Sequence, residues 1–151
     1  MYKKILVPLD GSELSEAVLN HVISIATGCQ VPEVILIRVR EPLDSSVRVA
    51  LDPEIAEDLD QAYNDEAASY LEKIAKKLEK KGIGVKLEVL EGNPAEEIIK
   101  YSKDNKVDLI VMSTHGRSGF SRIVFGSIAD KVLRQTEVPL LLRPAGHSAP
   151  K

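Results

Sequence analysis

The feature that most constrains the fold is a regular alternation of short, branched apolar runs with longer segments whose apolar residues recur every three or four positions. "KKILVPL" (3–9) is such a run, bounded by Pro8, Asp10 and Gly11, and reads as a buried strand. Ser12 then fits a helix N-cap, with Glu13 and Glu16 in the first turn, where the helix dipole favours acids. Leu14, Ala17, Val18, His21, Val22, Ile25 and Ala26 follow at helical spacing, and Gly28 closes what the spacing predicts as one helix. "EVILIRV" (33–39) is a second buried strand, and Pro42 and Pro53 bracket a loop without clear period from Arg40 to about Asp52. A long helix is predicted over Pro53–Lys81, with Gly82 past its end, and "VKLEVLEG" alternates as a third strand. Asn93 as a cap and Pro94 at the first helical position open the next helix. "VDLIVM" is a fourth strand, a last helix lies in about Ser127–Thr136, and "VPLLLR" is a fifth strand.

Strands that alternate with amphipathic helices predict an α/β fold, a single-domain doubly wound parallel sheet of five strands with helices on both faces. The domain is expected over residues 1–144, with a flexible tail over 145–151. Such sheets bind ligands beyond the carboxyl ends of their strands, where the strand order reverses. In a 3-2-1-4-5 order, the loop "PLDGS" and the loop after strand four face each other across that crevice. Composition narrows the partners. Twenty Lys and Arg against 23 Asp and Glu give a net charge of −3, which offers no prior for nucleic-acid binding. No apolar stretch reaches the ~18 residues of a membrane span, and the N-terminal apolar run is too short for a signal peptide. The single Cys29 excludes an intrachain disulfide framework. A cytoplasmic protein is expected.

The loop after strand four, "STHGRSGFSRIVFGS" (113–127), holds three glycines and five hydroxyl side chains. As a phosphate site, its small residues would let backbone N–H groups approach an anion, with a helix N-terminus adding donors. Ser127 followed by Asp130 resembles a capping box, which would start the last helix at Gly126–Ser127. Spacing leaves a second reading open, a helix that starts earlier at Ser118 or Ser121, with glycines that only end a strand. Neither G-x-x-x-x-G-K-[ST] nor GxGxxG is present. In the first loop, Asp10 is placed to accept from ribose hydroxyls or hold a divalent cation, or else to stabilise its own turn.

Together, "MYKKILVPLDGSELSEAVLNHV", the strand ending in Val39 and "VDLIVMSTHGRSGFSRIVFGSIADKVLRQTEVPLLLR" resemble the universal stress protein family over nearly the whole chain. The nucleotide-binding branch of that family carries G-x2-G-x9-G-[ST]. Here Ser113 stands at the first glycine, followed by Gly116, nine residues Arg117–Phe125, and Gly126-Ser127. The register matches; the first glycine does not. The resemblance implies that Asp10 contacts ribose, that Pro8, Leu9 and Val39 form an adenine slot, and that Met112 lies near ribose and base. It implies that Ser113, Gly116, Gly126 and Ser127 surround the phosphates, with His115 and Arg117 as phosphate neighbours that the motif does not require. ATP or AMP is the implied ligand, with Mg²⁺ or Mn²⁺ on the phosphates, and a homodimer through strand five (Val138–Arg143) the implied assembly.

The function implied is a nucleotide-dependent switch in stress response. The alternatives are a slow metal-dependent ATPase or phosphotransferase, and an interaction module without nucleotide binding, the latter motivated by Ser113. Efficient catalysis is disfavoured, because the loops hold no acidic pair at metal spacing, no evident general base, and no lysine within Ser113–Ser127. His21, on the apolar helix face, reads as a packed or half-buried side chain. Tyr63 and Tyr70 read as core or edge packing, and Cys29 as unreactive.

Overall fold

The structure is a computed structural model that describes residues 1–114 and 126–144. Five parallel strands form one sheet in the order β3-β2-β1-β4-β5: β1 (Lys4–Pro8), β2 (Glu33–Arg40), β3 (Val85–Glu91), β4 (Leu109–Ser113) and β5 (Leu140–Arg143). Side chains alternate between the two faces of a strand, and both faces here are apolar. Ile5, Val7, Val34 and Leu36 point to one face, where they pack with α2 (Leu19–Gly28) and α4 (Pro53–Glu79) through Val22, Leu71, Ile74 and Leu78. Leu6, Ile35, Ile37 and Ile110 point to the other face, against α5 (Pro94–Asp104) and α6 (Ser127–Gln135) through Ile98, Tyr101, Ala129 and Val132. The sheet therefore changes helix layer between β1 and β4, which opens a crevice at their carboxyl ends.

The expected fold class and strand order hold, but the elements differ in four respects. The single helix expected after β1 is two pieces, α1 (Glu13–Glu16) and α2, separated by a turn at Ala17–Val18. Leu14 is consequently 38% exposed and His21 is exposed, whereas Ser15 is buried. The break rotates α1 away from the face that the spacing assigned to it. Gly28 is the last helical residue and not the cap; Gln30, at φ 52°, makes the left-handed turn. The expected loop after β2 contains α3 (Ser45–Ala50), whose N-cap Asp44 accepts from the Ser46 amide at 2.8 Å and from its hydroxyl. All six residues of α3 are exposed, so no apolar period announced it. β5 begins at Leu140, not Val138: the Val138 amide donates to Thr136 Oγ1 at 3.0 Å, and Pro139 has no N–H to give a ladder. The tail 145–151 lies outside the described residues.

Candidate functional site

The first wall of the site is the turn that follows β1. The Leu9 amide donates to Ile37 O at 2.9 Å, and Gly11 then turns the chain at φ 89°, a conformation that side chains disfavour. Asp10 Oδ1 accepts from the Ser12 amide at 2.9 Å and from Ser12 Oγ at 2.5 Å. Ser12 is the N-cap expected of it, accepting from the Ser15 amide at 3.1 Å. Ser15 Oγ donates to Ser12 O at 2.8 Å and accepts from the Asp10 amide at 3.3 Å. Asp10 is thus built into its own turn while its side chain lines a cavity.

The second wall is β4 and the start of α6. Ser113 ends β4 as a buried residue, and its Oγ donates to Leu14 O at 2.6 Å. Gly126 is the N-cap of α6 at φ 71° and ψ 155°, and no side chain caps this helix. The capping box expected from Ser127 and Asp130 does not form. Ser127 is already the first helical residue, whereas a capping oxygen must come from the residue before it. The Asp130 carboxylate instead accepts from Arg134 Nε at 3.1 and 3.0 Å. Gly126's positive φ also prevents α6 from being the continuation of a helix begun at Ser118 or Ser121. Gly116 and Arg117, together with His115, lie outside the described residues.

Between these walls is a cavity of about 740 Å³. It brings together Pro8, Leu9, Asp10, Val39, Met112, Ser113, Gly126 and Ser127, drawn from four different stretches of the chain. Ile37, Ile98 and Ala129 add an apolar floor. Sequence reasoning missed the wall contributed by β2 and α4: Arg38, Arg40, Tyr63 and Glu66. Two arginines at the carboxyl end of an apolar run were the available signal. Arg38 is 8% exposed, pairs with Glu66 at 3.1 Å, and lies 5.2 Å from the centre of the Tyr70 ring. Arg40 joins three elements at the rim, with Nε donating to Asn64 Oδ1 at 3.0 Å and Nη2 to Glu91 Oε2 at 2.5 Å. Its Nη1 faces Asp60 Oδ1 at 3.4 Å as an ion pair without hydrogen-bond geometry. Arg48 of α3 holds the other Asp60 oxygen at 2.8 Å, and this guanidinium keeps the Asp60 carboxyl below the usual carboxylate range.

Tyr63 is 45% exposed at the cavity wall, which corrects its reading as packed. Tyr70 is half-buried against the core, as expected, and burial raises its phenol pKa, with Glu16 adding to the effect. Among the described residues, no three His, Cys, Asp or Glu side chains come together to hold a metal ion.

The model of the universal stress protein family matches residues 1–144. The chain belongs to the universal stress protein family. Universal stress protein MJ0531 of Methanocaldococcus jannaschii is 38% identical over 143 residues, covering 94% of this chain and 82% of that one. MJ0577 of the same organism is 34% identical, with 94% of each chain covered. Its solved structure gives a TM-score of 0.86 over 98% of this chain and 99% of that one. A family member from Arabidopsis thaliana, solved with AMP bound, shares the fold at a TM-score of 0.68 and 17% identity, covering 94% and 91% of the two chains.

Proposed function

We propose that this protein binds an adenine nucleotide, ATP or AMP, in the cavity between β1 and β4 and acts in the cytoplasm as a nucleotide-dependent switch. The observation that carries this reading is the convergence at the switch point of an Asp10 carboxylate on one wall and the glycine-capped start of α6 on the other. Amide groups at a helix start without a side-chain cap, together with the positive end of the helix dipole, favour phosphate. A carboxylate across the crevice suits ribose hydroxyls, which donate to it. Val39, Met112 and Ile37 supply an apolar slot of the kind that an uncharged base enters. The AMP-bound Arabidopsis protein shows a nucleotide in the same fold; at its low identity, the ligand reading for this chain stands on the cavity alone. Any Mg²⁺ or Mn²⁺ would arrive on phosphate oxygens. Occupancy would shift the balance between conformations only as far as the nucleotide prefers one of them. We also infer a homodimer through β5, which lies at the end of the sheet order with one strand neighbour.

Acid extraction of purified protein, with the released compound identified by mass, tests the binding directly. Adenine nucleotide is expected from wild type and none from Gly126→Asp, where a carboxylate would face the phosphates. Added ATP at about 100 times its Kd should stabilise wild type by about 2.7 kcal/mol. For a chain of this size, that is a rise in Tm of about 5–10 °C. Asp10→Ala should lose most of the rise. No extracted nucleotide, and no thermal response to ATP, ADP or AMP, would overturn the reading in favour of an interaction module. Time-dependent ADP formation lost in Asp10→Ala would instead identify slow hydrolysis.

A further inference from the structure

Ser113 occupies the position where the nucleotide-binding motif has its first glycine, and its side chain has a defined partner. The residue is 7% exposed, and its Oγ donates to the Leu14 carbonyl at 2.6 Å, joining positions 99 residues apart. That carbonyl belongs to α1, which ends after four residues, and it accepts from the Ala17 amide at 3.3 Å. Such an acceptor has a second lone pair to satisfy. α1 itself is held by little apolar burial: its one buried residue is Ser15, and Leu14 is 38% exposed. Val18, just beyond α1, is fully buried and anchors its far end, and polar ties fix the helix itself. From α1, the chain of bonds runs through Ser15 to Ser12 O and the Asp10 amide, and through Ser12 to the Asp10 carboxylate.

A hydroxyl carries one proton. With that proton donated to Leu14 O, Ser113 Oγ cannot also donate to a phosphate oxygen, which is the role its place in the motif suggests. We propose that Ser113 is a positioning residue. Its hydroxyl ties α1 to β4 across the crevice and thereby holds the Asp10 carboxylate at the ribose end of the cavity. A glycine at this position has no hydroxyl with which to make the tie. This inference rests on the nucleotide reading above and adds to it a residue whose hydroxyl acts on ribose recognition through α1.

The test compares the Kd for ATP with that for 2′,3′-dideoxy-ATP, which lacks the ribose hydroxyls, in wild type, Ser113→Ala and Asp10→Asn. Amide hydrogen exchange at residues 12–18 of the nucleotide-free proteins accompanies it. Wild type should prefer ATP, and Asp10→Asn should lose that preference. Ser113→Ala should weaken ATP by about fivefold, the scale of one hydrogen bond, while dideoxy-ATP changes by less than about twofold. Exchange at Ser15 should quicken in Ser113→Ala, because its amide bond to Ser12 depends on a fixed α1. A merely structural role would weaken both nucleotides alike, as would direct contact with phosphate, so equal weakening overturns the proposal. An unchanged ATP preference in Ser113→Ala overturns it too. Wild type that binds neither nucleotide overturns the functional reading and this role together, an outcome told apart from the others by wild type alone.

Discussion

Asp108 joins the start of β1 to the start of β4: its Oδ2 accepts from the Lys3 amide at 2.7 Å and the Lys4 amide at 2.8 Å. These two backbone donors favour the charged form and hold the carboxyl below its usual value of 3.8. A carboxyl depressed in the folded state contributes stability in full above its unfolded pKa, and the contribution is lost as pH falls through the folded value. Asp108→Asn should therefore cost about 1 kcal/mol at pH 7, a figure reduced for partial exposure. The gap between variant and wild type in denaturant titrations should close as pH drops below about 3.8. A gap that persists at low pH would assign the loss to packing. At this scale, the sequence was most legible where a side chain acts on its own neighbours. Ser12 and Asn93 are caps as read, with Asn93 accepting from the Glu96 amide at 3.1 Å. It was least legible where partners are distant, as for Asp108, for Ser113 with Leu14, and for Arg40 with Asp60 and Glu91.

Elements were legible where their apolar residues kept a regular period, as in β3, whose alternation showed although none of its residues is fully buried. β1, β2, α4 and β4 emerged close to their observed bounds because each presents a long apolar pattern to the core. α3 gave no pattern because it buries nothing, and the division of α1 from α2 left the spacing of apolar residues intact while changing which of them face inward. The join into β3 is a tighter constraint than its sequence suggests. A Cβ on Gly84 would stand 2.7 Å from Pro32 O, a backbone atom that cannot move aside cheaply. Val34 N also donates to Gly84 O at 2.9 Å, so both segments are fixed. Gly84→Ala should destabilise by about 1–3 kcal/mol, lowering Tm by several degrees. Gly28→Ala, where an added methyl meets nothing within 4 Å, is the control and should be neutral or mildly stabilising. Equal melting of the two variants would show that the Pro32–Gly84 approach relaxes freely.

The whole molecule is a sheet covered by helices on both faces, with β3 and β5 as its edge strands among the described residues; the four residues of β5 are all half-buried. Pairing of two copies along the β5 edge predicts a sedimenting mass of twice the 16.6 kDa chain. Leu141→Arg, which sets like charges against each other across the twofold axis, should return the mass to that of one chain, with a fall in Tm because Leu141 also packs against the core. Sedimentation of wild type as a monomer at micromolar concentration would remove the dimer. Alternation of apolar strands and amphipathic helices by itself determined the α/β class, because a parallel strand must be covered on both faces and each crossover must lie over the sheet. The order of small residues after β1 and β4 likewise marked where the cavity lies. Only the tertiary structure decided that Arg38, Arg40 and Tyr63 form a wall of that cavity, and that Ser113 turns its proton toward α1. Contacts of that kind depend on where two distant backbones come to rest, and local spacing does not encode the distance between them.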